Sequence, residues 1–148
     1  MAQGLAVALP LKVDTVDGAY GLHKDLESMA AQNLKMVILT SPGERVMIPE
    51  FGVGIRNFLF APNSPNTKEA IRQRIQNQVS KYLPYINLVG LQLFSPNVID
   101  GTDNTTLVLK IQYSVPAANI VSELTLDTST GAMSTSTGGG SGGSGGGY

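Results

Sequence analysis

Few side chains in this sequence have the types and spacing that catalysis requires. Glu44 and Glu50 are the two carboxylates in a suggestive setting, because they flank the short apolar segment 45–48. Glycoside hydrolysis uses such a pair, one as the acid and the other as the nucleophile or base. Six positions along an extended segment place the two groups far apart unless the chain folds back. We therefore expect no catalytic residues, and interpret Glu44 beside Arg45 as a turn-stabilising or interfacial ion pair.

Other catalytic and metal-binding arrangements have little support. His23 is the only histidine, and the chain has no cysteine. That excludes the common zinc sites and leaves a Ser-His-Asp arrangement without support, so we expect His23 to occupy a plain surface position or the N-terminal end of a helix. The glycines near the C-terminus follow no strand and open no helix, so they are not a nucleotide-binding fingerprint. The sequence predicts neither a metal nor a cofactor.

The composition indicates a soluble domain with a sparsely charged surface. The chain has 148 residues and a net charge of −1, with 42% hydrophobic and 14% charged residues, against about 25% charged residues in typical domains. This favours obligate partners, although the uncharged C-terminal segment also lowers the count. The net charge argues against nucleic-acid binding, and no apolar run approaches the ~18 residues of a membrane span. With no signal-peptide pattern at the N-terminus, assembly in a cytoplasm is the default expectation.

Two predicted helices must position the residues of interest. Apolar residues at a 3.6-residue repeat predict a helix over 24–39, which Pro42 and Gly43 end. Its expected buried face is Leu22, Leu26, Met29, Ala30, Asn33, Met36 and Val37. A short extended strand is expected over Arg45–Ile48, and a short helix or turn over Ile55–Phe60.

The second long helix is expected to begin at Asn66 or Thr67, with Glu69 completing a capping box, and to end at Pro84. Its predicted buried stripe is Ile71, Ile75, Val79 and Tyr82. Its outer surface is basic, with Lys68, Arg72, Arg74 and Lys81. That basic surface is either a solvated face or a contact for an acidic partner subunit.

After the second helix the apolar period changes to two, which predicts strands. The expected strands are Val89–Leu93, 107–115 and Ile120–Leu126. The fold class is therefore α+β, with a small mixed or antiparallel sheet packed against two main helices. Residues 1–22 are expected to form an extended arm that lies on a neighbouring subunit or adds an edge strand. Residues 23–127 form the domain, and 128–148 are expected to be a flexible Gly/Ser/Thr-rich tail.

The block from the end of the first helix to Phe60 resembles the baseplate wedge family of contractile phage tails, which includes type VI secretion baseplate homologues. The resemblance is carried by the Gly43-Glu44-Arg45 turn and by Pro49-Glu50-Phe51-Gly52, in this order and spacing. It extends over most of residues 4–127. One departure is Leu83-Pro84-Tyr85, where many members have Glu-Pro-Arg, so any contact there is expected to be apolar or aromatic.

The resemblance implies a structural protein that docks on other wedge proteins and initiates the tail sheath, with a sheet like the handshake region of a sheath subunit. The implied wedge-docking residues are Glu44, Arg45, Pro49, Glu50, Phe51, Gly52, Leu83, Pro84 and Tyr85. The implied sheath-strand edge is Ile120, Val121, Ser122, Glu123, Leu124, Thr125 and Leu126, which would accept a sheath strand by β-augmentation. The N-terminal arm is the other candidate edge.

The partners implied are wedge proteins and the tail sheath protein, with the tail tube or hub as a further contact. Six copies per baseplate are implied, in a virion tail assembled in the host cytoplasm. Some descriptions of the family attach a lysozyme activity to it, so a peptidoglycan-degrading tail enzyme is the alternative. A free-standing adaptor domain of similar fold is the third reading.

Overall fold

The computed structural model describes residues 4–13, 19–61, 64–94, 108–127 and 133–137. Two long helices precede most of the strands along the chain. The elements in order are β1 (Ala6–Val7), β2 (Leu22–His23), α1 (Leu26–Leu39), a 3₁₀ helix (Ile55–Phe60), α2 (Pro65–Tyr82), β3 (Asn87–Phe94), β4 (Val108–Val115), a short 3₁₀ turn (Pro116–Ala118), β5 (Ile120–Asp127) and β6 (Met133–Thr137).

The main sheet is an antiparallel meander in the order β3-β4-β5-β6, and a separate two-stranded ribbon joins β1 to β2. Asn119 adopts a left-handed conformation, with a φ of 53°, at the turn between β4 and β5. Asparagine tolerates this conformation better than most residues, which suits a tight reversal. The predicted α+β class, with two helices against a small sheet, is confirmed.

The core lies between the two helices and one face of the sheet. β4 follows the predicted alternation, because Leu109, Ile111, Tyr113 and Val115 are all fully buried. The predicted stripe of α2 is also confirmed at its centre. The fully or nearly buried residues there are Ile71, Ile75 and Val79, while Tyr82 is half-buried.

The buried face of α1 differs from the expected one. Met36 was expected inside, but it is 44% exposed, whereas Leu34 and Ile38 are fully buried. The last turn of α1 is apolar on every side, so the residue repeat alone leaves the rotation of the helix ambiguous. Packing against the sheet selects the face that carries Ala30, Leu34 and Ile38.

The start of α2 also differs from expectation. Ser64 is the N-cap, with Pro65 at the first helical position, and the Ser64 hydroxyl accepts the backbone N–H of Thr67 at 3.2 Å. The predicted capping box from Asn66 to Glu69 is therefore wrong. Proline suits the first turn because its missing N–H would have no helical partner there.

β3 contains a bulge that the sequence pattern did not predict. Leu88 pairs with Tyr113 and Gly90 pairs with Gln112, which leaves Val89 as the extra residue. Val89 is 62% exposed, although it was expected on the same face as Leu91. A bulge shifts the alternation by one residue, so Leu88 packs against the core in its place.

β6 lies within the segment that was expected to be a flexible tail. Residues 133–137 pair with β5 from Ser122 to Leu126. Ser and Thr give this segment no apolar alternation, but backbone pairing with a strand that is already in place does not require one. The rest of the expected tail lies outside the described residues.

Candidate docking surface

The loop that joins α1 to the 3₁₀ helix carries most of the predicted docking residues; we call residues 41–54 the docking loop. The short strand expected at Arg45–Ile48 is wrong, because these residues are exposed and form no strand, with bends at 45–47. The backbone N–H of Gly43 donates to the carbonyl of Pro49 at 2.8 Å, so the chain folds back on itself. Gly43 has a φ of 91°, which favours glycine at the start of the reversal.

Glu44 stabilises the turn that opens the docking loop. Its carboxylate Oε2 accepts the backbone N–H of Ser41 at 2.9 Å, and its own N–H donates to the Ser41 carbonyl at 3.1 Å. Glu44 thus stabilises the turn through the backbone of Ser41, and the expected ion pair with Arg45 is not among those of the described residues. The Arg45 guanidinium lies 4.3 Å from the centre of the Phe51 ring, and Phe51 packs edge-on against Tyr82 at 4.9 Å. These contacts connect the tip of the loop to α2.

Gln78 on α2 holds the Pro49–Gly52 element in place through two side-chain hydrogen bonds, which we call the Gln78 clamp. Its side-chain Oε1 accepts the Gly52 N–H at 2.9 Å, and its Nε2 donates to the Glu50 carbonyl at 3.1 Å. Lys81, one turn further along, forms an ion pair with Glu50 at 2.8 Å. Sequence reasoning missed Gln78, because an isolated polar residue beside a buried stripe carries no motif.

The final glycines of the docking loop fit against the end of α1. The backbone N–H of Val53 donates to the Val37 carbonyl and that of Gly54 to the Thr40 carbonyl, both at 2.9 Å. These bonds satisfy carbonyls that the end of a helix leaves without partners. Gly52 has a φ of 103°, and a Cβ there would lie 2.1 Å from the Thr40 carbonyl oxygen. Only glycine can lie this close to the Thr40 carbonyl, which explains why the Pro-Glu-Phe-Gly element ends in glycine.

The Leu83-Pro84-Tyr85 segment lies beside the docking loop. Leu83 is only 6% exposed and lines the same groove of about 500 Å³ as Arg45 and Phe51. The Tyr85 hydroxyl accepts a hydrogen bond from Asn33 Nδ2 at 2.8 Å. Pro84 is exposed. Leu83 therefore packs within the domain, and Pro84 with part of Tyr85 provides the accessible surface of this segment.

The N-terminal arm is fastened to α1 by a second glutamine. Gln32 Oε1 accepts the Leu9 N–H at 2.8 Å, and Gln32 Nε2 donates to the Val7 carbonyl at 3.0 Å. His23 Nε2 lies 2.9 Å from the same Gln32 oxygen. His23 thus lies just before the N-terminus of α1, one of its two expected positions, and it is half-buried in a hydrogen-bonded cluster rather than a plain surface residue. Leu9 also lines the groove beside the docking loop, which makes the arm and the loop one continuous surface.

The most exposed apolar side chains of this surface are at the tip of the docking loop. Val46 and Met47 are each 92% exposed. They lie between Arg45, which stacks on Phe51, and Pro49, which closes the loop. Sequence reasoning assigned them to a strand and not to the docking set. Two adjacent apolar residues held out on a fixed loop are typical of an interaction site.

The electrostatics of Glu50 oppose a role as the general acid of glycoside hydrolysis. The closed loop removes the expectation that Glu44 and Glu50 are separated by an extended segment. However, the hydrogen bond and charge of Lys81 lower the pKa of Glu50, and its side chain is largely exposed. A general acid needs a raised pKa. The described residues also contain no cluster of three or more metal-ligating side chains.

The predicted sheath-strand edge is not a free edge in this chain. β5 pairs with β4 from Ile120 to Asp127, and with β6 from Ser122 to Leu126. The outer strands of the described sheet are β3 and β6. The N-terminal arm forms its own ribbon with Leu22–His23 rather than an edge of this sheet. No helix within the described ranges is long and apolar enough to cross a membrane.

The model of the baseplate wedge protein gp25 family matches residues 24–119. Baseplate wedge protein gp25 of Enterobacteria phage T4 is 33% identical over 79 residues, which cover 53% of this chain and 56% of the T4 protein. The match thus spans just over half of that relative.

The fold is similar to that of several solved structures. A protein from Geobacter sulfurreducens described as a tail lysozyme has a TM-score of 0.60 at 24% identity, covering 72% of this chain and 93% of that one. A chain of the anti-feeding prophage baseplate has a TM-score of 0.63 at 21% identity, covering 74% and 83%. A chain of the postcontracted pyocin R2 baseplate has a TM-score of 0.50 at 22% identity, covering 71% and 97%.

The family match includes the docking loop, the Gln78 clamp and the first two strands of the main sheet. It covers well over half of the chain, and the order of elements agrees with the resemblance seen in the sequence. The chain belongs to the baseplate wedge protein gp25 family.

Proposed function

We propose that this protein is a structural component of a contractile-tail baseplate, where it docks on other wedge proteins and initiates the sheath. The observation that carries the docking role is the clamped loop that presents Val46 and Met47 at 92% exposure. Family membership supports a baseplate location. In this role the protein positions neighbouring subunits and transmits force between them, and it carries out no chemical step.

The docking loop is suited to binding because its conformation is set before a partner arrives. Gly43 and Pro49 close its base, Glu44 holds the opening turn, and Gln78 bonds the Glu50–Gly52 backbone to α2. A preorganised loop loses little conformational entropy on association, so more of its contact energy appears as affinity. The apolar tip would enter an apolar recess on another wedge subunit, while Glu50 and Lys81 lie at its polar rim.

The sheath-initiating role would use the main sheet. An extended arm of a sheath subunit would add to the sheet at the β5–β6 side through backbone hydrogen bonds. Residues Ile120–Leu126 remain our proposed contact strand, with six copies around the tube forming the first ring. Sheath, tube or hub contacts and the copy number follow from the family resemblance and are part of this proposal.

The test is assembly with the cognate wedge and sheath proteins, followed by size-exclusion chromatography and electron microscopy. We expect a stable wedge complex that nucleates sheath rings. Val46→Asp combined with Met47→Asp should abolish wedge binding, because two charges would enter an apolar contact. The matched control is Val89→Asp, an exposed valine on the bulge of β3.

Circular dichroism and thermal unfolding would show that both variants are folded. Wedge binding that is unchanged in the double aspartate variant would exclude the tip as the docking site. A wild-type protein that stays monomeric with all partners present would instead favour a free-standing adaptor domain.

A further inference from the structure

The two outer edges of the main sheet are not equivalent. β3 carries the bulge at Val89, and its Leu91 carbonyl accepts a hydrogen bond from Arg72 Nη2 on α2 at 3.1 Å. Bulges bend and twist an edge strand, which hinders the addition of another strand. A side chain that occupies a backbone acceptor has the same effect. The β3 side is therefore protected, which leaves the β5–β6 side for an incoming strand.

β6 pairs with only part of the outer side of β5. It forms five residue pairs with β5, whereas β4 forms eight with the same strand. Its sequence, Met-Ser-Thr-Ser-Thr, contains one large apolar residue. Cross-strand side-chain pairs are the main source of sheet stability beyond the backbone bonds. A strand with alternating apolar residues would therefore compete well for the same backbone groups.

Two residues at one end of β5 have no pairing partner on the β6 side within the described part of the chain. Ile120 and Val121 pair with β4, but no described residue pairs with them on the opposite side. Val121 is 55% exposed. In sequence, Thr137 is followed by Gly138, Gly139 and Gly140, a composition that strands disfavour. An incoming strand can pair first at Ile120 and Val121 and then advance towards Leu126, replacing the pairs of β6 one at a time.

We infer that β6 is a resident strand that occupies the outer side of β5 until an extended, alternately apolar arm of a sheath subunit displaces it. The inference rests on the proposed sheath-initiating function and specifies how that joint is regulated. The backbone bonds lost from β6 are replaced by those of the incoming strand, so the exchange is driven by side-chain packing. Before exchange, the resident strand prevents β5 from pairing with other copies of the chain.

A disulfide between register partners tests the displacement directly. Thr125 pairs with Ser134, so Thr125→Cys combined with Ser134→Cys would lock β6 onto β5. The chain has no other cysteine, so a single bond forms on oxidation. The matched control is Asn87→Cys with Ser114→Cys, register partners that join β3 to β4 and leave both β5 and β6 unchanged.

We expect the oxidised lock to recruit sheath subunits at least about tenfold more weakly than its own reduced form, with the oxidised control unchanged. If the oxidised and reduced locks recruit sheath equally, the strand does not need to leave, and the resident-strand inference is wrong while sheath initiation stands. If the wild type recruits no sheath in the presence of wedge proteins, the proposed function itself fails, and the inference fails with it.

The entry point has a separate kinetic test. Val121→Asp should slow sheath recruitment about tenfold, because a charge would meet the apolar arm at the first pairing position. Val89→Asp places the same charge on the protected edge, at a similarly exposed valine, and should change nothing. Equal rates for the two variants would exclude entry at Ile120 and Val121.

Discussion

The hydroxyl of Ser122 on β5 donates a hydrogen bond to the carboxylate Oε1 of Glu27 on α1, at 2.6 Å and across 95 positions of sequence. Ser122 is only 2% exposed. Hydrogen bonds to a charged group are among the stronger ones in proteins. This bond fixes the first turn of α1 to the strand that we propose as the sheath contact, so it couples the helical layer to that side of the sheet.

Ser122→Ala should therefore destabilise the protein by about 1.5–3 kcal/mol, the range for a hydrogen bond to a charged group. The measurement is chemical denaturation followed by circular dichroism. Ser114→Ala is the matched control, since Ser114 lies on the opposite face of the neighbouring strand and is half-buried. Equal losses in the two variants would show that the bond to Glu27 contributes nothing specific.

Gly52→Ala should lower the free energy of unfolding by more than about 3 kcal/mol. The new Cβ would clash with the Thr40 backbone, and the alanine would have to adopt a strained φ. Gly43→Ala should cost about 1–2 kcal/mol, since Gly43 also has a positive φ but nothing lies within 4 Å of its Cβ position. Thermal and denaturant unfolding would compare the two. A Gly52 variant no less stable than the Gly43 variant would contradict the close approach to Thr40.

Gln78→Ala should weaken wedge binding more than it weakens the fold. The substitution leaves the Gly52 N–H without its partner and releases the Glu50 carbonyl, at a cost of about 1–3 kcal/mol. The loosened loop would then pay additional entropy on association. Gln76→Ala, on the exposed side of the same helix, is the control. Unchanged wedge affinity in the Gln78 variant would show that the clamp serves stability alone.

The Glu50 carboxylate should titrate below its ordinary pKa of 4.5, because Lys81 stabilises its charged form. A lowered folded-state pKa means that this interaction is present near neutral pH and is lost as the pH falls through that value. Carbon-detected NMR of the carboxylate would measure the pKa, and Lys81→Gln should raise it. A pKa above 4.5 would contradict the ion pair.

Peptidoglycan cleavage provides the complementary test of the alternative function. We expect no activity from the wild type in a turbidity assay with purified cell walls. Activity that disappears in Glu44→Gln and Glu50→Gln would establish the enzyme and overturn the purely structural proposal. The lowered pKa of Glu50 argues against Glu50 as the catalytic acid, which must hold its proton near neutral pH, so Glu44 would have to supply that proton.

Local pattern was sufficient for the elements whose side chains repeat with one clear period. The alternation of Leu109, Ile111, Tyr113 and Val115 predicted β4 and its buried face, because a strand with one face in the core must place every second side chain there. The spacing of Ile71, Ile75 and Val79 predicted the core stripe of α2 for the equivalent helical reason. The Gly-Glu-Arg turn and the Pro-Glu-Phe-Gly element were enough to indicate the family.

Features that depend on backbone bonds between distant residues were decided by the tertiary structure. The rotation of α1, the bulge at Val89 and the closure of Gly43 on Pro49 each depend on a partner elsewhere in the fold. The Gln78 and Gln32 clamps are invisible in sequence for the same reason. β6 is the clearest case: Met133–Thr137 has no strand-like apolar pattern, and it becomes a strand because β5 offers it unpaired backbone N–H and C=O groups. Sequence period thus determined the core faces of β4 and α2, whereas tertiary packing and long-range hydrogen bonds determined the rotation of α1 and the shape of the surfaces that we propose to bind partners.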